Sequence, residues 1–70
     1  MIILKNIINL LMYDEDIEIY DTCINESSKV WSGPVYHIPK SMHNKYDNYH
    51  VYRIWVNACT NNINFTIGQK

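Results

Sequence analysis

Glycine is almost missing from this chain of 70 residues: Gly33 and Gly68 are the two it has. Neither stands in a glycine-rich run, so no backbone cradle for a phosphate is encoded, which argues against nucleotide-dependent chemistry. Cysteine is equally scarce. Cys23 and Cys59 lack metal-ligand spacing; they read as reduced, half-buried thiols, with a disulfide joining two strand ends as the alternative. No sign of charge predominates, because six Lys and Arg face seven Asp and Glu for a formal charge of −1. Without a basic field, nothing gathers the protein on nucleic acid or anionic lipid from a distance. A long hydrophobic run is also lacking. Met1 to Tyr13 is apolar but broken by Lys5, Asn6 and Asn9, without a small-residue cleavage site and well short of the roughly 20 apolar residues that span a bilayer. These features predict a cytoplasmic protein with no membrane partner.

Catalytic constellations are missing too. Ser27, Ser28, Ser32 and Ser41 stand in polar or turn contexts without a glycine-framed elbow. Nothing selects a Cys–His pair from Cys23, Cys59, His37, His43 and His50. The histidines also lack the i, i+4 spacing that sets two imidazoles on one helix face. Asp14-Glu15-Asp16 has neither the glycine nor the distal glutamate of a calcium loop, and reads as a solvated turn. No cofactor and no metal site is expected, and the chain is not expected to be an enzyme. A metal-dependent activity on nucleic acid through Asp14, Asp16 and the histidines is the remote alternative.

What the chain does hold is bulk. It is 47% hydrophobic and carries two Trp and six Tyr. Domains this short bury only about 60% of the surface their unfolded chains expose. Apolar material on this scale exceeds what one small domain hides easily, so self-association into a homo-oligomer is expected.

The hydropathy pattern sets out the elements. Ile2 to Met12 places Ile3, Ile7, Leu10 and Leu11 at helical spacing, widened by Leu4, Ile8 and Met12. Its β-branched isoleucines leave a strand over Met1–Leu4 as the alternative. Asp16–Asp21 alternates as a half-buried strand, with Ile17 and Ile19 one way and Glu18 and Tyr20 the other. Thr22–Ser28 is a polar connection. Lys29–Ile38 resumes a strand that Gly33-Pro34 confines to an edge or a bulge. Lys40–Tyr46 reads as one or two helical turns crossing the sheet. Tyr49–Val56 then forms the most apolar strand, with Tyr49, Val51, Arg53 and Trp55 on one side and His50, Tyr52, Ile54 and Val56 on the other. Both sides being bulky, it is expected to be central and covered twice. A turn through Cys59-Thr60-Asn61-Asn62, where consecutive asparagines tolerate positive φ, leads to a last strand built on Ile63, Phe65 and Ile67. The expected fold is α+β: a four-stranded antiparallel sheet, two hairpins joined by a short crossover, with the N-terminal helix packed on one face, all in one domain over residues 1–70.

Ile17-Glu18-Ile19-Tyr20-Asp21, Val30-Trp31-Ser32-Gly33, Ile38-Pro39 and Tyr52-Arg53-Ile54-Trp55 resemble the small β-sheet accessory proteins encoded by phages and prophages of gut Firmicutes. The resemblance covers most of residues 10–67 and rests on short packing motifs. Some members of that class resemble the PC4-like single-strand-binding fold and act as anti-CRISPR proteins. The resemblance therefore implies an oligomeric sheet protein that counters host immunity, and it transfers no catalytic residue.

Two binding modes follow. In the first, a phage-type accessory or inhibitor protein covers a protein partner, with Trp31, Tyr36, Tyr52, Arg53 and Trp55 as contacts, since Trp, Tyr and Arg dominate interface hot spots. In the second, the same aromatics and Tyr49, flanked by Lys29, Lys40 and Lys45, stack the bases of single-stranded nucleic acid. Acidic residues scattered along the chain cancel the charge that the second mode needs, which favours the first.

Overall fold

A computed structural model describes residues 2–12, 14–22 and 28–69. The elements are helix α1 (Leu4–Ile8), strands β1 (Asp16–Asp21) and β2 (Lys29–Pro34), a single 3-10 turn at Val35–His37, helix α2 (Lys40–Tyr46), and strands β3 (His50–Val56) and β4 (Ile63–Gly68). The strands form one open sheet in the order β2-β1-β4-β3. The class is α+β, as expected, and both antiparallel hairpins are present, β1 with β2 and β3 with β4. The sheet is nevertheless mixed and not purely antiparallel, because β1 and β4 pair in parallel at its centre. That arrangement makes β2 and β3, the two edges, run in the same direction. A tight turn cannot connect strands so related; the 3-10 turn and α2 supply the crossover from one edge to the other.

A second correction concerns β3. It is an edge strand and is not covered on both faces: Tyr52, Ile54 and Val56 are 45%, 50% and 60% exposed. The centre belongs to β1 and β4, whose Ile17, Ile19, Phe65 and Ile67 are almost wholly enclosed. The strict alternation read from β3 also fails, because its register steps from Val51↔Ile67 to Arg53↔Thr66. The bulge leaves Tyr52 without an opposite number and shifts the residues after it.

One side of the sheet is the core side. Leu4, Ile7 and Ile8 of α1 and Tyr46 of α2, with Ile38 just before it, close over Ile17, Ile19, Phe65 and Ile67. At about 25 cal/mol per Å² of apolar surface removed from water, this cluster is the main source of stability. α1 is shorter than the periodicity suggested. Ile3 forms an antiparallel bridge with His50, and the Ile2 carbonyl accepts a hydrogen bond from Val51 N–H at 2.8 Å. The first isoleucines thus extend the sheet, as their β-branching favours, and the helix begins only afterwards. It ends in a tightened turn, where Leu10 and Leu11 N–H bond the carbonyls of Ile7 and Ile8. Leu10 and Met12 are left 86% and 67% exposed.

The two tight backbone features match the residues that carry them. Asn61 has φ of 62°, and Asn57 Oδ1 accepts a hydrogen bond from Cys59 N–H at 2.8 Å inside the β3–β4 turn. Gly33 has φ of 142°, and a Cβ there would lie 3.2 Å from the Trp31 ring. Trp31 therefore folds along its own edge strand over Gly33 and against the core. The expected 22–28 connection falls largely on residues 23–27, outside the described residues, and Cys23 with it. Cys59 is a free, exposed thiol. No helix among the described residues is long and apolar enough to cross a membrane.

Candidate interaction face

Alternation along the strands decides what the other side of the sheet displays. With Ile17, Ile19 and Asp21 turned to the helices, β1 offers Glu18 and Tyr20, and Thr22 follows them. With Phe65 and Ile67 turned inward, β4 offers Asn64, Thr66 and Gly68. In β3, Arg53 stands opposite Thr66 and Trp55 opposite Asn64. The bulge then has an effect that no local pattern announced. It brings Tyr52 to the same side as Arg53 and Trp55, where its ring lies on Gly68: a Cβ at Gly68 would sit 2.6 Å from Tyr52 Cε2 and 3.0 Å from Thr22 Oγ1. Gly68 is small so that this ring can lie down.

The side chains of this face are bound to one another. Tyr20 and Trp55 meet with ring centroids 5.8 Å apart, tilted by 31°. They reach each other across β4, whose Asn64, opposite Trp55, is 3% exposed and has no hydrogen-bond partner for its Oδ1 among the described residues. The Arg53 guanidinium lies 5.2 Å from the centroid of the Trp55 ring system, within cation–π range. Thr22, Arg53, Trp55 and Thr66 line an open depression of about 380 Å³.

Two acids stand at this alternation of β1, the exposed Asp16 at its start and Glu18, and Glu18 is restrained. It accepts hydrogen bonds from the Tyr20 hydroxyl at 2.8 Å and from Asn62 Nδ2 at 3.0 Å, and it pairs with Lys29 at 3.5 Å. The Tyr20 hydroxyl above all, then the Asn62 amide, hold its carboxyl below the ordinary carboxylate value; burial opposes them and Lys29 assists. The same hydrogen bond raises the Tyr20 hydroxyl above its ordinary value. Glu18 and Lys29 largely cancel one another, while Arg53 has no carboxylate partner among the described residues.

Of the five contact residues expected from sequence, Tyr52, Arg53 and Trp55 come together here. Trp31 and Tyr36 do not. Trp31 packs toward the helices at the β2 edge, and Tyr36 stands in the 3-10 turn, 58% exposed, with its ring edge-on to His37 at 4.7 Å. The residues that sequence reasoning left out are Tyr20, Thr22 and Thr66. The alternation of Asp16–Asp21 already turned Tyr20 away from the isoleucines, but the neighbour of β1 was not legible. No three His, Cys, Asp or Glu side chains among the described residues come close enough to share a metal ion. His43 instead pairs with Asp47 one helical turn on, at 2.8 Å. Comparison of the chain with protein-family models, curated proteins and solved structures finds no match.

Proposed function

We propose that this protein is a small, non-enzymatic binding module that associates with itself and uses the Tyr20–Tyr52–Arg53–Trp55 face to dock on a protein partner. The observation that supports this most is the placement of two tyrosines, a tryptophan and an arginine without a carboxylate partner among the described residues on the sheet face away from the helices. Tyr, Trp and Arg are the side chains that contribute most at the centres of interfaces, because they combine large buried area with a polar handle. Light scattering or native mass spectrometry at micromolar concentration tests the associating half of this reading, and a monomer alone would end it.

The resemblance of the strand motifs to phage accessory proteins suggests a setting in which the partner belongs to a bacterial defence system, anti-CRISPR action among them. Expressing the chain in a CRISPR-immune bacterium should then restore plaque formation by the targeted phage, and an Arg53→Ala/Trp55→Ala variant should not.

A second reading draws on the depression beside Arg53 and Trp55, where a base could stack. Single-stranded oligonucleotides should then be retained at low salt and released steeply as salt rises. With Asp16 and Glu18 on the same side of the sheet as Arg53, protein docking is favoured over this.

A further inference from the structure

We infer that the open edge of β3 is where a second copy of this chain pairs, antiparallel and about a two-fold axis at Trp55, joining two sheets into one. This rests on the self-associating reading above and gives it a surface and a register.

The two edges of the sheet differ sharply. β2 is blunted by Gly33 in its unusual conformation, by Pro34, which has no N–H to offer, by Lys29, and by a register shift against β1. These are the devices by which sheet edges avoid pairing. β3 has none of them over its last residues, Ile54-Trp55-Val56. At its start the edge is already used, since Val51 N–H bonds the Ile2 carbonyl. Past the bulge it is open. Asn57 N–H turns inward to the Asn62 carbonyl, and Trp55 and Arg53, at the same alternation, also face β4. Ile54 and Val56 consequently direct their N–H and C=O groups outward.

Those two residues select the register. Pairing two β3 strands about Trp55 sets Ile54 against Val56 of the second copy, and Val56 against its Ile54. Each such pair exchanges both N–H···O bonds, so every outward group past the bulge is used. Trp55 then faces Trp55 at the closely spaced position between them, and Arg53 faces Asn57, so no like charges meet. Pairing about Ile54 would match Val56 with Tyr52, whose amide the bulge has diverted. Pairing about Arg53 would oppose two guanidinium groups. The half-exposed Ile54 and Val56 side chains lie on the helix side of the new joint and cover one another. A two-fold contact of this kind closes on itself, because it occupies the one unblunted edge of each copy. It also sets two Arg53–Trp55 clusters side by side, doubling the docking face.

Sedimentation velocity on the full chain in reductant, which keeps the exposed Cys59 from cross-linking, tests this. The wild type should be a dimer in the micromolar range. Ile54→Lys and Val56→Lys should each raise the dimer dissociation constant at least about tenfold while far-ultraviolet dichroism stays native. Both positions are at least half exposed, so either variant serves if the other folds poorly. Ser32→Lys on the β2 edge should leave the dimer intact. In a background without Cys23 and Cys59, Ile54→Cys copies should cross-link to Val56→Cys copies faster than to themselves. A wild type that stays monomeric overturns self-association altogether. A dimer that survives both lysine variants overturns only the β3 edge, and faster cross-linking of Ile54→Cys with itself overturns the register.

Discussion

The two faces of this sheet are cut from the same strands and do opposite things. On the helix side, isoleucine alternates through β1 and β4 and meets Phe65, and every side chain of that central layer is almost completely enclosed. On the other side, Glu18, Tyr20, Arg53 and Trp55 satisfy one another laterally, through hydrogen bonds and ring contacts within the plane of the face. Burial through the thickness of a layer gives stability; contact along a surface gives shape and orientation at modest energy. The proposed docking role would thus give folding and recognition to different faces of one small sheet.

The largest effect should come from hollowing the enclosed face. Phe65→Ala removes a ring that is 0% exposed and should cost about 3–5 kcal/mol in urea denaturation, enough to leave a chain this small mostly unfolded. Gly33→Ala should come next. It forces a Cβ into a backbone conformation of φ 142° and to within 3.2 Å of the Trp31 ring, for a loss of about 1–3 kcal/mol by the same measurement. Gly68→Ala sharpens the contrast, because its Cβ would collide with the Tyr52 ring on the open face. That ring can swing outward, so the stability loss should be about 1 kcal/mol, while tyrosine ring resonances of Tyr52 shift markedly in NMR spectra.

The smallest effect concerns pH. A carboxyl whose value is lowered on folding contributes stability above its unfolded value, ordinarily 4.5, and that contribution is lost as pH falls through the folded value. Stability should therefore decline in acid partly through Glu18, and Glu18→Gln should flatten the decline between neutral and strongly acidic pH. At the other end, the raised Tyr20 hydroxyl contributes stability below its ordinary value of 10.0 that is lost as pH rises through the folded value. Tyr20→Phe should remove that alkaline loss. Thermal unfolding across the pH range measures both.

Local pattern made much of this molecule legible. The alternation of Ile17 and Ile19 gave β1 and its buried face, Gly33-Pro34 marked β2 as an edge, Lys40–Tyr46 gave α2, and the paired asparagines gave the last turn. What sequence could not supply was relative placement. The bulk of Tyr49–Val56 suggested a twice-covered central strand, yet aromatic residues on an open face look the same in sequence as aromatic residues in a core. The parallel β1–β4 pair depends on which edges the crossover joins, a long-range matter that no local spacing encodes. The bulge at Tyr52 likewise follows from fitting β3 to β4 and not from any glycine or proline within β3 itself. That one inserted residue brought Tyr52 to the side of Arg53 and Trp55, where the alternation of β1 had already set Tyr20.

The proposed division between a folding face and a binding face is tested most directly by removing the open-face rings together. Urea denaturation of a Tyr52→Ala/Trp55→Ala variant at the same protein concentration as Phe65→Ala should give a cooperative transition, with a stability loss smaller than that of the single core substitution. A loss equal to or greater than that of Phe65→Ala would make the open face a second core and contradict its assignment to binding.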